Sequence, residues 1–165
     1  MVGSDPTIRT DAELLDRCGP QLRLVAHFGV GYDPVDVAAC AERGVVVTNT
    51  PGVLTAATAE LAVALSLAAA RGMLEASTEL RAGRWGAWYP GAFCSEQVSG
   101  SVVGVIGMGR IGQEYARMMR PFAGEIIYWN RSPKPATEAD LGARRVELDE
   151  LMERADVISV HTPST

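Results

Sequence analysis

Short apolar runs and amphipathic stretches alternate along the chain, and their spacing predicts most of its elements. Residues 22–28 (Leu-Arg-Leu-Val-Ala-His-Phe) read as a short buried strand that ends at Gly29-Val30-Gly31. Asp36 stands at an N-cap position before a helix over 37–43, and Gly44 stands where a C′ glycine belongs. A second β-branched strand, 45–48, is broken by Asn-Thr-Pro-Gly at 49–52. A strand, helix and strand in this order predict two parallel neighbours in one sheet. Residues 55–81, rich in Ala, Leu and Glu, predict one long helix weakened at Gly72, with Leu61, Ala64, Leu65 and Ala68 on its buried face. The glycine- and aromatic-dense stretch 83–93 reads as an arm. From residue 102 the alternation is regular: strand 102–106, helix 110–120, strand 126–129, helix 137–141, strand 144–147, helix 148–155 and strand 157–161. This is the signature of a parallel α/β sheet.

The pattern divides the chain into a strand-containing segment 1–54, a linking helix and arm 55–97, and an α/β segment 98–165. Composition narrows the class further. Of 165 residues, 47% are hydrophobic and 21% charged, as expected for a chain that buries a core. A net charge of −5 without blocks of one sign argues against a nucleic-acid or anionic-membrane surface. Cys18, Cys40 and Cys94 lack metal-ligand spacing and read as reduced thiols, so no metal is expected. The N-terminus has neither a basic nor an apolar signal region, and the apolar run 61–70 is too short to span a bilayer. A soluble, cytoplasmic protein is expected.

The chemistry starts at Gly107-Met-Gly-Arg-Ile-Gly112, which follows an apolar strand directly and opens an amphipathic helix. Here each glycine has a function: Gly107 for the tight turn, Gly109 for close approach of a pyrophosphate, and Gly112 for helix–strand packing. With Arg110 and Ile111 at the helix start, free N–H groups supply an anion site. The motif predicts a Rossmann-type sheet binding a nicotinamide dinucleotide. The next strand ends in Asn130, where a carboxylate would select NAD, and Arg131, Ser132 and Lys134 follow. A carboxylate repels a 2′-phosphate, whereas Asn130, Arg131 and Ser132 accept one through charge-assisted hydrogen bonds. NADP(H) is therefore favoured and NAD(H) stays open, with a merely solvated basic loop as the competing reading.

Three segments together resemble the D-2-hydroxyacid dehydrogenase family. They are Gly29-Val-Gly-Tyr-Asp-Pro-Val-Asp36 continuing to Val47-Thr-Asn-Thr-Pro51; Thr58-Ala-Glu-Leu-Ala-Val-Ala-Leu65 leading to Arg71; and Gly104 to Gly112 with Leu148-Asp-Glu-Leu151 and Ala155-Asp-Val-Ile-Ser-Val-His-Thr-Pro163. Val53-Leu-Thr55 with Trp85, Trp88 and Pro90 looks most like the glyoxylate/hydroxypyruvate reductase branch. The resemblance implies a doubly wound Rossmann domain, of which strands 1–4 are present, preceded by part of a flavodoxin-like substrate domain. It implies an oxidoreductase that reduces 2-keto acids such as glyoxylate or hydroxypyruvate to D-2-hydroxy acids, and a homodimer when complete. By the same resemblance, the N–H groups of Val30 and Gly31 would hold the substrate carboxylate, Thr58 would lie near the nicotinamide, and His161, Thr162 and Pro163 would lie beside the adenosine.

The family's catalytic Arg, Glu and His would follow the strand that ends at His161, so no catalytic residue is assigned within these residues. His27 is a candidate acid, although a structural histidine is the stronger reading. The arm departs from the reductase pattern, placing Ala92, with Phe93 beside it, where an aromatic is expected. The expectation is a piece of a longer enzyme, inactive alone, with two strands of its first domain and with strand 157–161 left as an edge open to aggregation. Two alternatives stay open: a non-enzymatic dinucleotide-binding or sensing protein on the same fold, and an inert remnant that binds neither dinucleotide.

Overall fold

The computed structural model describes residues 1–4, 7–87, 89 and 91–163, and these divide into two compact units, residues 1–54 and 55–165. Trp88 and Pro90, on which part of the reductase resemblance rests, lie outside the described residues.

In the first unit β1 (Val2–Ser4), β2 (Leu24–His27) and β3 (Val46–Thr48) form a parallel sheet in the order β1-β2-β3. Two strands were expected from the sequence and three are present. The added strand has only three residues and exists through pairing, with Val2, Gly3 and Ser4 opposite Val25, Ala26 and His27. A local pattern cannot reveal so short an element. The helices α1 (Ala12–Cys18) and α2 (Val37–Glu42) are each started by an aspartate, Asp11 accepting from the Leu14 N–H at 3.1 Å and Asp36 from the Ala39 N–H at 2.8 Å. They cover a core of Leu15, Leu22, Val25, Val35, Ala39, Cys40 and Val45.

The second unit opens with α3 (Thr55–Ala70) and α4 (Met73–Arg81), bent by 71° from each other. The single long helix expected over 55–81 is thus two, because Gly72 takes the left-handed conformation (φ 56°) that ends a helix. No single helix among the described residues is long and apolar enough to cross a membrane. In the arm, the rings of Trp85 and Phe93 stack 4.9 Å apart.

Next come β4 (Val102–Ile106), α5 (Arg110–Met119), β5 (Glu125–Trp129), α6 (Pro135–Leu141), β6 (Ala143–Arg145), α7 (Leu148–Arg154) and β7 (Val157–Val160). The strands are parallel in the order β6-β5-β4-β7, which is the 3-2-1-4 portion of a doubly wound sheet. Val103, Val105, Ile126 and Tyr128 point to one face, where they pack with α3 and α5; Ile127 points to the other, with Leu151 of α7. β7 is an edge, and Val160 is 62% exposed.

The buried face of α3 differs from expectation. Leu61 and Leu65 are 60% and 61% exposed, whereas Ala59 is fully buried and Ala62, Val63, Leu67 and Ala70 pack on the core. A helix apolar on every side offers several equivalent faces, and the small side chain of Ala59 is what fits against the core.

Candidate functional site

The glycine turn closes the C-terminal end of β4, and its three glycines are glycines for three separate reasons. Gly107 has φ +96°, and a Cβ there would lie 2.6 Å from the His161 carbonyl oxygen. At Gly112 a Cβ would run into the Gly107 carbonyl, so α5 can reach the sheet only without a side chain at that point. Gly109 has an ordinary φ of −80°, and a Cβ there would meet nothing within 4 Å. Neither strain nor packing requires glycine at 109, so the open space beside it is available for a ligand's backbone-level approach. The N–H groups of Arg110, Ile111 and Gly112, in the first turn of α5, have no helical partner by geometry and no side chain caps them. This cradle fits a pyrophosphate.

The turn is fixed from three sides. Met108 is fully buried in the core. The Gly107 N–H donates to the Trp129 carbonyl at 2.9 Å, and the Gln113 side chain donates to the Met108 carbonyl at 3.1 Å. The Met108 N–H donates to Asn130 Oδ1 at 3.1 Å, while Asn130 Nδ2 donates to the Ser132 carbonyl at 2.8 Å. Asn130 therefore ties the turn to the loop that carries the exposed Arg131 and Ser132. That loop is held at its far end by Tyr128, whose hydroxyl accepts from the Lys134 N–H at 2.8 Å and donates to Glu138 at 2.6 Å. Burial pushes the Tyr128 phenol up from its ordinary value.

His161 closes the other side. Its N–H donates to the Ile106 carbonyl at 2.7 Å, its Nε2 lies 2.9 Å from Ser159 Oγ, and its ring is 5.1 Å from that of Tyr115. Burial holds the imidazole below its ordinary value. The Thr162 methyl also abuts Gly107, and Pro163 follows. The Tyr115 hydroxyl is 2.9 Å from Ser66 Oγ of α3, and burial raises its pKa. Gly107, Gly109, Asn130, His161 and Thr162 thus meet at the carboxyl ends of β4, β5 and β7, the topological switch point of such sheets. Thr58 is set apart: with His161 it lines a groove of about 910 Å³ between α3 and β7, whose walls do not include the glycine turn. The free helix-start amides belong to the turn and not to this groove.

In the first unit the carbonyls of Gly29, Val30 and Gly31 are all fastened. Gly29 O accepts from the Thr50 N–H at 2.9 Å, Val30 O from Asn49 Nδ2 at 2.9 Å, and Gly31 O lies 2.8 Å from His27 Nε2. No acceptor among the described residues takes the N–H groups of Val30 and Gly31, which leaves two consecutive amides free after the strand. His27 is 2% exposed, and its Nδ1 is 3.3 Å from Ser4 Oγ, itself the acceptor from the Thr10 hydroxyl at 3.2 Å. With both nitrogens engaged, it shapes the loop and is not presented as an acid. The role of Asn49 was not foreseen; only its place beside the Pro51 turn could have pointed to it.

Residues 63–165 match the family described as D-isomer specific 2-hydroxyacid dehydrogenase, NAD binding domain. The chain is 43% identical over 163 residues to the glyoxylate reductase of Thermococcus litoralis, covering 96% of this chain and 49% of that protein. The glyoxylate reductase of Thermococcus kodakarensis is 44% identical over 161 residues, with 95% and 48% covered. The solved structure of the TT0316 protein of Thermus thermophilus superposes with a TM-score of 0.90 at 43% identity, over 99% of this chain and 50% of that one. The chain therefore spans about half the length of the curated relatives it matches. A family match across most of its residues makes this chain a member of the D-isomer specific 2-hydroxyacid dehydrogenase family.

Proposed function

We propose that this chain binds NADPH in preference to NADH, with NADH as the weaker ligand, and belongs to a reductase of small 2-keto acids such as glyoxylate or hydroxypyruvate. Dinucleotide binding is carried by Gly109, a glycine with no structural need beside the free α5 amides, and the NADPH preference by Asn130, with Arg131 and Ser132 following, at the end of β5. Bound there, the dinucleotide supplies the hydride. The chain's own residues then have distinct roles. Gly107 makes the tight turn, Gly109 leaves room for the pyrophosphate, and Arg110, Ile111 and Gly112 present backbone amides to it. Asn130 orients the following loop, and Arg131 and Ser132 meet the 2′-phosphate, where a carboxylate would repel it. His161, Thr162 and Pro163 flank the adenosine, and Thr58 lies toward the nicotinamide. The paired amides of Val30 and Gly31 hold the keto acid's carboxylate.

No proton donor is assigned within these residues, since His27 has both nitrogens engaged. The same reading makes the protein cytoplasmic and a homodimer, and the exposed Met73, Leu74 and Leu80 on α4 offer apolar surface for the dimer. The substrate assignment draws on the relatives named glyoxylate reductase and is tested by titrating glyoxylate into the 15N-labelled chain. The amide resonances of Val30 and Gly31 are expected to move most. Resonances that stay fixed at saturating glyoxylate would refute the carboxylate nest.

A further inference from the structure

The two adjacent arginines of β6 have different surroundings. Side chains alternate faces along a strand, so Arg144 and Arg145 leave the sheet on opposite sides. Arg144 is fully engaged: its guanidinium pairs with Glu125 at 3.3 Å and Glu150 at 2.8 Å, and Arg154 bridges the same two carboxylates. Arg145 is half-buried, yet no carboxylate of the described residues forms an ion pair with it. Among the described residues its one hydrogen bond runs from Nε to the Asn130 carbonyl, at 3.2 Å. Glu138, which lies by the same loop, is taken by the Tyr128 hydroxyl.

A guanidinium drawn partly out of water without a counter-ion is costly unless an anion completes it. Tethering through Nε leaves the two terminal nitrogens as a planar fork, the geometry that suits a phosphate. The tether also fixes where the fork sits: at the carboxyl end of β5, on the residue immediately before Arg131 and Ser132.

We propose that Arg145 is a specificity-determining residue that supplies a second guanidinium, beside that of Arg131, to the 2′-phosphate of NADPH. This rests on the NADPH preference proposed above and adds a residue that the sequence did not single out. Arg131 comes from the exposed loop, whereas Arg145 comes from the sheet and is held in place before the ligand arrives. Pre-organisation of that kind favours binding because less side-chain freedom is lost.

The test is calorimetric titration of the whole chain with NADPH and with NADH, for the unaltered protein, Arg145→Gln and Arg145→Lys. Glutamine keeps a donor for the Asn130 carbonyl and removes the charge; lysine keeps the charge and removes the fork. Arg145→Gln is expected to bind NADPH about tenfold more weakly, equivalent to about 1.4 kcal/mol, with NADH affinity changed by less than about twofold. Arg145→Lys is expected to fall between. An unaltered chain that prefers NADPH, with an Arg145→Gln variant that keeps the whole preference, would overturn the role of Arg145 alone. Equal losses for both dinucleotides would overturn it too, since they mark a purely structural arginine. An unaltered chain without NADPH preference would overturn the underlying cofactor reading and this inference together. If Arg145→Gln does not fold, Arg145→Lys decides: an NADPH-to-NADH ratio equal to that of the unaltered chain counts against the fork.

Discussion

A glycine in a binding motif can be needed for backbone strain, for packing or for a ligand, and in this turn the three needs fall on three residues. Gly107 and Gly112 are required by the protein itself, whereas only Gly109 leaves its space open. Substitution separates them. Gly112→Ala forces a methyl against the Gly107 carbonyl and is expected to cost about 1–3 kcal/mol in urea denaturation. Gly109→Ser places a good N-cap residue before α5, so stability should hold or rise, while dinucleotide affinity falls about tenfold or more. A Gly109→Ser chain that binds dinucleotide unimpaired would show that the open space is not the approach path. His161 gives a pH signature. Its imidazole is held below the ordinary value by burial, so as pH falls below about 6.5 the unfolded chain takes up the proton first. Stability is therefore complete above that pH and is lost as pH falls toward the folded-state value. Melting temperatures measured between about pH 7 and pH 5 should decline, and His161→Gln should flatten that decline. An identical slope in the variant would place the titrating group elsewhere. The motif residues were legible because the turn needs them locally. Arg145 and Asn49 were not, because their meaning lies in hydrogen bonds to Asn130 and Val30, residues brought near only by the fold.

The elements were legible to different degrees for physical reasons. The strands and helices from β4 to β7 follow their periodicity closely because both faces of a parallel sheet are buried and each helix has one wet side. β1 escaped notice because three residues carry no period. β6 ends at Arg145, two residues earlier than the apolar spacing indicated, because Glu147 is already the N-cap residue of α7. In α3 the existence of the helix was legible and its buried face was not, since alanine and leucine surround it. The observed register predicts that Ala59→Leu overpacks the core and costs about 1–3 kcal/mol. Leu61→Lys, on the exposed side, should change stability by no more than about 0.5 kcal/mol. Denaturation midpoints check both. The reverse ranking would mean that the face inferred from the leucines is the buried one after all.

At the scale of the whole molecule, two compact units each place unpartnered backbone amides just past the carboxyl end of a parallel strand. One set follows β2 at Val30 and Gly31; the other opens α5 at Arg110, Ile111 and Gly112. In the proposed reading both sets receive an anion, the keto acid's carboxylate at the first and the pyrophosphate at the second, without needing a charged side chain. In the proposed reading, Arg131 after β5 and Arg145 at the end of β6 are the cationic side chains that distinguish a phosphorylated ribose from a free one. Family membership establishes the type of domain, and the residues at 130–132 and 145 carry the finer claim that NADPH is the preferred ligand. The most direct measurement is titration of the unaltered chain with NADPH and NADH side by side at one salt concentration. NADPH is expected to bind tighter by about tenfold or more, with the margin shrinking as salt screens the phosphate contacts. NADH binding as tightly as NADPH, or more tightly, would contradict it.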